Sequence, residues 1–248
     1  MSVFTVEIAG GPAEIKCAFP ENMRFFEGYF TDREPLISVQ AAADDLQEAQ
    51  QELYSADDAA DTPRFRRPAG VLENIAIHGI LSEKLLEHAG LLVHGSALCM
   101  DGQAVVFLAH SGTGKSTHSR LWRETFGSRV WMINDDKPML RILDGKAYAY
   151  GSPWNGRHHL SRNASAPLKA IVLLSRDEEN RIMPVQKADA FPLLMPYALS
   201  SKNPATMKRI LEVEKLLLNA ADFYLLGCNM TPEAARVAHQ GIFKPVQE

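Results

Sequence analysis

The sequence predicts a mixed α/β fold with largely antiparallel sheets, a phosphate-binding loop and flanking helices. Three patterns predict this class: short β-rich runs joined by tight turns, longer stretches with apolar residues at helical spacing, and a glycine-containing loop between a strand and a helix. The 248 residues are 46% hydrophobic and 23% charged. This length and composition suit one domain with a small appendage and a substantial buried core.

The N-terminal part, residues 1–67, is predicted to be a small β-rich appendage. Its candidate strands have β-rich or alternating patterns, and they lie at residues 3–8, 13–19 and 36–39. Residues 41–62 are acidic, and we interpret them as a solvated loop or helix face rather than a metal site. The arginines that follow have the character of a surface cluster: Arg64, Arg66 and Arg67.

Residues 68–248 are predicted to form the larger domain. Its predicted strands are 91–95, 97–100, 104–108, 130–134, 139–143, 147–150, 168–174, 181–185 and 223–226. Its predicted helices are 68–89, 115–126, 187–199, 204–220 and one that begins near residue 232. Asp101-Gly102 is a strong hairpin signal. The strand after this turn is therefore expected to run antiparallel to its neighbour, which argues against an ordinary parallel Rossmann sheet.

Residues 109–117, which we call the glycine loop, are predicted to bind phosphate. They follow an apolar strand and lead into a helix, the context in which a Walker-type loop is credible. Gly112 and Gly114 allow backbone N–H groups to converge on a phosphate, and the helix adds its N-terminal dipole. Lys115 supplies a positive charge for the terminal phosphates, and the Ser116 hydroxyl is placed to ligate Mg²⁺.

A pair of acids, Asp135 and Asp136, follows the apolar strand 130–134. An apolar strand that ends in acids is Walker-B-like, and its function is to hold Mg²⁺ or a proton close to a transferred phosphate. One predicted helix separates this strand from the strand of the glycine loop, so we expect the two strands to be neighbours. Further on, residues 151–159 form a constrained loop that makes Arg157 available for a phosphate.

Each of these features also has an ordinary structural interpretation. The glycine loop begins with Ala109 where the standard pattern has glycine, so a simple glycine-rich turn stays open as an alternative. The acid pair is compatible with a turn between strands, because a β pattern resumes at Met139. We interpret His158 and His159 as surface imidazoles, since no cysteine or carboxylate has matching metal-site spacing.

Charge and cysteine content argue against several classes of protein. The net charge of -4 provides no bulk basic field for nucleic acid or anionic lipid. The sequence has no apolar run of about 18 residues and no basic-then-apolar signal at its N-terminus. The three cysteines form no CxxC pair and suit a reducing compartment: Cys17, Cys99 and Cys228. We therefore expect a cytoplasmic protein that binds neither nucleic acid nor membrane.

The order of the motifs resembles a known family. His94-Gly95 is followed by the hairpin, the glycine loop, one helix and Asn134-Asp135-Asp136. This order resembles the catalytic domain of HPr kinase/phosphorylase and is similar to the nucleotide-binding half of phosphoenolpyruvate carboxykinase. Small HPr-kinase-like proteins, including the lasso-peptide precursor kinases, have a short sequence motif after the acids that is similar to Gly151-Ser152-Pro153-Trp154-Asn155-Gly156. The resemblance extends over residues 70–240.

The resemblance implies the nucleotide-binding fold of these two families, with ATP and Mg²⁺ as ligands. The residues that it assigns to the β- and γ-phosphates are Ser111, Gly112, Thr113, Gly114, Lys115, Ser116 and Thr117. It places His94 beside the acids, where it orients one of them. One acid ligates Mg²⁺ with Ser116 and the other is the base toward the acceptor hydroxyl; the assignment is open, with Asp136 preferred for the metal.

We therefore predict an ATP- and Mg²⁺-dependent kinase that transfers the γ-phosphate to a hydroxyl, the serine of a small protein or peptide. Carboxykinase activity is not expected, because this chain has no room for the additional substrate-binding domain of those enzymes. HPr is not the expected acceptor, because the C-terminal signature of true HPr kinases is absent. A small-metabolite kinase and a non-catalytic nucleotide-sensing protein are the alternatives. HPr-kinase relatives assemble into oligomers, so a homo-oligomer of this chain is an open alternative that rests on analogy.

Overall fold

The computed structural model describes residues 1–243, and these form two compact units that divide after Leu85. The remaining residues of the predicted larger domain lie outside the described range. The predicted mixed α/β class with largely antiparallel sheets is confirmed. The observed division comes later in the chain than the predicted boundary at 67/68, because the helix of residues 69–85 packs within the first unit.

The first unit combines a three-stranded sheet with helices. Its elements are β1 (Ser2–Ile8), β2 (Gly11–Cys17), α1 (Asn22–Phe25), β3 (Ile37–Gln40), α2 (Ala43–Ala59) and α3 (Ala69–Leu85). In the sheet, β1 is antiparallel and β3 is parallel to the central β2. The acidic stretch forms the helix α2. The buried Glu73 of α3 accepts hydrogen bonds from the N–H of Phe19 (3.2 Å) and the side-chain amide of Asn22 (2.7 Å), which ties α3 to the chain that leaves β2.

The second unit is built around a large mixed sheet. Its strands are β4 (Gly90–Leu92), β5 (Gly95–Met100), β6 (Gln103–Leu108), β7 (Val130–Asn134), β8 (Met139–Leu143), β9 (Lys146–Tyr150), β10 (Ser165–Arg176), β11 (Arg181–Pro184) and β12 (Asp222–Cys228). Its helices are α4 (Lys115–Phe126), α5 (Lys187–Leu194), α6 (Pro204–Ala220) and α7 (Pro232–Phe243). Across the described part of the chain, no helix has both the length and the apolar character that crossing a membrane requires.

The strand order of this sheet is β4-β8-β9-β10-β6-β5-β7, and β12 pairs with β10 and β11. The long β10 connects two parts of the sheet. Its first residues pair antiparallel with β9, whereas its later residues pair parallel with β6 and β12. Antiparallel pairs therefore predominate, and the two parallel pairs lie on either side of β10.

The hairpin between β5 and β6 is confirmed, with Asp101 and Gly102 at positive φ values of 48° and 81° in its turn. The strand that carries the acids, β7, pairs with β5. The expectation that β6 and β7 are neighbours is wrong, because β5 lies between them. Since β6 is bonded to β5 on one edge and to β10 on the other, β7 can add only at the free edge of β5.

Both faces of β6 are buried, which explains its uninterrupted apolar sequence. Val106 belongs to a core that includes Leu217 of α6. The next residue, Phe107, belongs to a different core that includes Trp122 of α4 and Ala238 of α7. Helices therefore cover the sheet on both faces, as strands with parallel neighbours require, and the glycine loop begins where β6 leaves these two layers.

Candidate active site

The glycine loop connects the end of β6 to the start of α4, as predicted. Gly112 and Gly114 have φ values of 77° and 129°, which residues with a side chain rarely adopt. The N–H of Thr113 donates to the carbonyl of His110 (3.2 Å), and the N–H of His118 donates to the carbonyl of Gly114 (2.9 Å). The helix therefore begins within the loop, so that its N-terminal dipole acts at the loop itself.

Lys115, the first residue of α4, is held over the loop. It is 9% exposed, and its ammonium donates to the carbonyl of Ala109 at 2.6 Å. Burial lowers the pKa of Lys115, while the carboxylate of Asp136 acts in the opposite direction. The ammonium group of Lys115 thus lies at the end of β6, where the glycine loop begins.

Arg176, at the end of β10, binds the loop from outside. Its guanidinium donates to the carbonyl of Thr113 at 3.2 Å and also to the carbonyl of Gly112. Because a trans peptide directs its C=O and N–H in opposite directions, the N–H of Gly114 points away from Arg176. Sequence reasoning missed this arginine, since its position depends on the register in which β10 pairs with β6, which no local pattern reveals.

The two acids lie in different environments. Asp135 is 7% exposed; its Oδ1 accepts from the N–H of Gly156 at 2.8 Å, and its buried Oδ2 has no hydrogen-bond partner within residues 1–243. Asp136 is more exposed and lies 3.4 Å from both the Lys137 ammonium and Nδ1 of His94. A buried carboxylate oxygen without a partner is costly unless a proton, a donor or a cation meets it.

His94 lies beside Asp136 and also contacts Lys137, which sequence reasoning missed. The Lys137 ammonium is 2.8 Å from Nδ1 of His94. Burial, followed by the charges of Lys137 and Lys115, lowers the pKa of His94 to about 4, against the opposing effect of Asp136. The imidazole is therefore neutral near pH 7, and its Nδ1 accepts a hydrogen bond from Lys137. The only sequence signal for Lys137 is its position directly after the acids.

Asn134, the last residue of β7, is fully buried and fixes the turn that carries the acids. Its Oδ1 accepts from the backbone N–H groups of Asp136 (2.8 Å) and Lys137 (2.6 Å). Its Nδ2 donates to oxygen atoms at 3.1 to 3.2 Å in Ser152, Trp154 and Ser161. The side chain thereby joins the acid turn to the following loop, a role that the sequence motif alone did not reveal.

One cavity of about 560 Å³, which we call the loop cavity, brings most of the predicted site residues together. Its walls are formed by His94, Ser111, Gly112, Gly114, Lys115, Ser116, Thr117, Asp135, Asp136, Gly156, Arg157 and His158. Thr113 is not among them; its backbone bonds to His110 and Arg176 instead. The glycine loop and the acids thus face a common space, although β5 separates their strands.

The comparisons of sequence and of structure give different results. No protein-family model matches the sequence, and no curated protein matches it. Among solved structures, a similar chain is the Hpr(Ser) kinase/phosphatase from Coxiella burnetii, with 10% sequence identity and a TM-score of 0.37 over 60% of this chain and 95% of that chain. At this identity and TM-score, the similarity assigns neither a family nor an activity to the chain.

Proposed function

We propose that this chain is an ATP- and Mg²⁺-dependent kinase that transfers the γ-phosphate to a hydroxyl group, such as the serine of a small protein or peptide. The observation that supports it most is the loop cavity, in which the glycine loop, Lys115 and both acids share one space. Phosphoryl transfer depends mainly on positioning and on stabilisation of negative charge. A positive loop opposite two carboxylates is suited to both tasks.

In this proposal the glycine loop holds the phosphates of ATP. The positive φ values of Gly112 and Gly114 provide the backbone shape of an anion-binding loop, and α4 begins there. Lys115 exchanges its bond to the Ala109 carbonyl for a bond to a phosphate oxygen. The ammonium of Lys137, which donates to the neutral His94, lies 3.4 Å from the Asp136 carboxylate and keeps it in place.

The residues present suit Mg²⁺, which prefers hydroxyl, carboxylate and water oxygen atoms. Ser116 and Asp136 both line the loop cavity and would hold it. When bound, Mg²⁺ supplies positive charge that offsets the charge of the phosphates. Asp135, which also lines the loop cavity, is then the base, and its carboxylate takes the proton of the acceptor hydroxyl. The acceptor oxygen forms a bond to the γ-phosphorus, the bond from that phosphorus to the bridging oxygen breaks, and ADP leaves.

The first test measures binding of Mg²⁺ with a non-hydrolysable ATP analogue by calorimetry. We expect Lys115→Ala to weaken binding by about 10- to 100-fold, since a hydrogen bond to a charged group contributes about 1.5–3 kcal/mol. The control is Lys169→Ala, which removes a lysine that pairs with Asp222 outside the loop cavity. Equal binding by the wild type and Lys115→Ala would contradict the proposed site.

The second test separates the roles of the two acids. Asp135→Asn is expected to lower the rate of ATP-dependent transfer about 100- to 10,000-fold, the usual contribution of a general base, with the Mg²⁺ requirement unchanged. Asp136→Asn is expected to raise the Mg²⁺ concentration needed for half-maximal nucleotide binding. The reverse pattern would exchange the two roles, and wild-type behaviour in both variants would reject them. Nucleotide binding without ATP consumption for any hydroxyl acceptor would favour a sensing protein.

A further inference from the structure

A second cavity, of about 420 Å³, adjoins the loop cavity. The two cavities have five wall residues in common: Ser116, Thr117, Asp135, Arg157 and His158. The rest of the second cavity is lined by residues of β5, α4 and β7 and by Leu160. Asp135 therefore borders both cavities.

The second cavity is rich in positive charge. Three arginines line it: Arg120, Arg123 and Arg157. Arg120 pairs with Glu124 at 2.8 Å, whereas Arg123 and Arg157 have no carboxylate within ion-pair distance in the described part of the chain. Nε of Arg123 is buried and has no hydrogen-bond partner among the described residues. A buried guanidinium N–H without an acceptor is costly, and its fork geometry matches carboxylate and phosphate groups.

We propose that the second cavity binds the phosphoryl acceptor and that this acceptor carries an anionic group, a carboxylate or a phosphate, in addition to its hydroxyl. This inference rests on the proposed function. Asp135 is the only acid among the described residues that line the cavity, so the base and the arginines define two chemically different ends. The hydroxyl lies at Asp135 and the anionic group lies at Arg123.

The spacing along α4 limits the size of the acceptor. Ser116 and Asp135 line both cavities, and Arg123 follows Ser116 seven residues later on α4. At 1.5 Å per residue, these positions are about 10 Å apart along the helix axis. The acceptor is therefore expected to carry its hydroxyl and its anion on a scale of about 10 Å. A short molecule or a chain end fits these limits.

The remaining walls suit a small polar molecule. The hydroxyl groups of Ser96 and Ser119 are buried and lie 2.7 Å apart, and the Ser119 hydroxyl donates to the carbonyl of Lys115 at 3.0 Å. Met132 and Leu160 add apolar contact area. The loop cavity already contains Lys115 and the loop glycines for the nucleotide phosphates, which leaves Arg123, a wall residue of the second cavity alone, for a different anion.

The test uses the full chain saturated with Mg²⁺ and a non-hydrolysable ATP analogue, so that the glycine loop is filled. Inorganic phosphate and acetate are then titrated separately, and binding is measured by calorimetry. We expect saturable binding of at least one anion, weakened about tenfold or more in Arg123→Gln, with nucleotide affinity unchanged. Arg123→Lys keeps the positive charge but lacks the planar guanidinium group with its paired N–H donors, and it is expected to bind the anion with intermediate affinity. The control is Arg236→Gln, on the exposed face of α7.

The outcomes separate this inference from the proposed function. Binding of phosphate but not acetate identifies the acceptor's anion as a phosphate; the reverse identifies a carboxylate. No saturable anion binding by the nucleotide-filled wild type, or equal binding by the wild type and both Arg123 variants, overturns this inference and leaves the proposed function intact. If Arg123→Gln loses as much affinity for the nucleotide as for the anion, the second cavity belongs to the nucleotide site. This result also overturns the inference. Failure of the wild type to bind nucleotide overturns both.

Discussion

At the scale of single residues, Gly156 controls the space around the acids. A Cβ added there would lie 3.0 Å from Oδ2 of Asp135 and 3.4 Å from Cβ of Asp136. We expect Gly156→Ala to displace the Asp135 carboxylate and to lower kcat of the proposed phosphoryl transfer about 10- to 100-fold, because small misplacements of reacting groups are costly. The free energy of unfolding should change by only about 1 kcal/mol. Steady-state kinetics and urea denaturation measure the two effects.

A second glycine provides the control for this substitution. A Cβ added at Gly79, in the helix α3, meets no heavy atom within 4 Å. Gly79→Ala is therefore expected to stabilise the chain by up to about 1 kcal/mol, since alanine is the better helix former, and to leave kcat unchanged. If Gly156→Ala retains the wild-type kcat, the position of Asp135 is not important for the reaction.

Glu214 of α6 is a buried carboxyl outside both cavities, and it predicts a dependence of stability on pH. It is fully buried, and neither carboxyl oxygen has a hydrogen-bond partner in the described range. Burial raises its pKa from 4.5 to about 7. Between these values the folded chain binds more protons than the unfolded chain, so the free energy of unfolding falls as pH rises from 4.5 to 7 and this contribution is constant outside that window.

Glu214→Gln is expected to remove this part of the pH dependence. At 1.36 kcal/mol per pKa unit, the wild-type chain loses about 3 kcal/mol across the window through this residue. Urea denaturation of both proteins at a series of pH values between 4.5 and 8 measures the difference. Glu212→Gln, two positions away on an exposed part of the same helix, serves as the control and should follow the wild-type curve. Parallel curves for the wild type and Glu214→Gln would show that the pKa of Glu214 is not raised.

At the scale of elements, the turn after β7 depends on Asn134. Its side-chain oxygen accepts hydrogen bonds from backbone N–H groups of the turn. Its side-chain amide donates hydrogen bonds to oxygen atoms of the following loop. Asn134→Ala leaves these buried groups without partners, and we expect it to cost about 2–4 kcal/mol in unfolding free energy. Asn134→Asp keeps the acceptor but replaces the amide donor with an oxygen, so it should be at least as destabilising. Urea denaturation measures both variants, and wild-type stability in either would contradict this role.

Local patterns predicted most elements because they depend on residues close in sequence. The hairpin at Asp101-Gly102 follows from turn chemistry, and the strand–loop–helix context of the glycine loop follows from hydrophobic period and glycine spacing. The same patterns could not predict the partner of β7, because the strand that has an edge free for pairing is determined by the pairing of all the other strands. Arg176 reaches the loop only through the register of β10 with β6, which is a tertiary property.

At the scale of the whole molecule, most of the residues that the motifs single out line one cavity, although Thr113 does not and the expected pairing of β6 with β7 was wrong. Asp135 and Asp136 line the same cavity as Lys115 with β5 between their strands, because all three strands end or begin at the same side of the sheet. The boundary between the units was harder to predict. The apolar period of α3 identifies a helix, but it does not indicate which core that helix covers.

The division into units predicts that residues 86–248 bind nucleotide without the first unit. Both cores of this unit, the glycine loop, the acids and both cavities consist of residues from 86 onward. We therefore expect a fragment of these residues to fold cooperatively and to bind Mg²⁺ with a non-hydrolysable ATP analogue within about threefold of the full chain, a difference of less than 1 kcal/mol. The same fragment with Lys115→Ala is the control, and circular dichroism reports folding. A folded fragment that does not bind nucleotide would mean that the first unit contributes to the site, whereas an unfolded fragment would mean that the two units are not independent in stability.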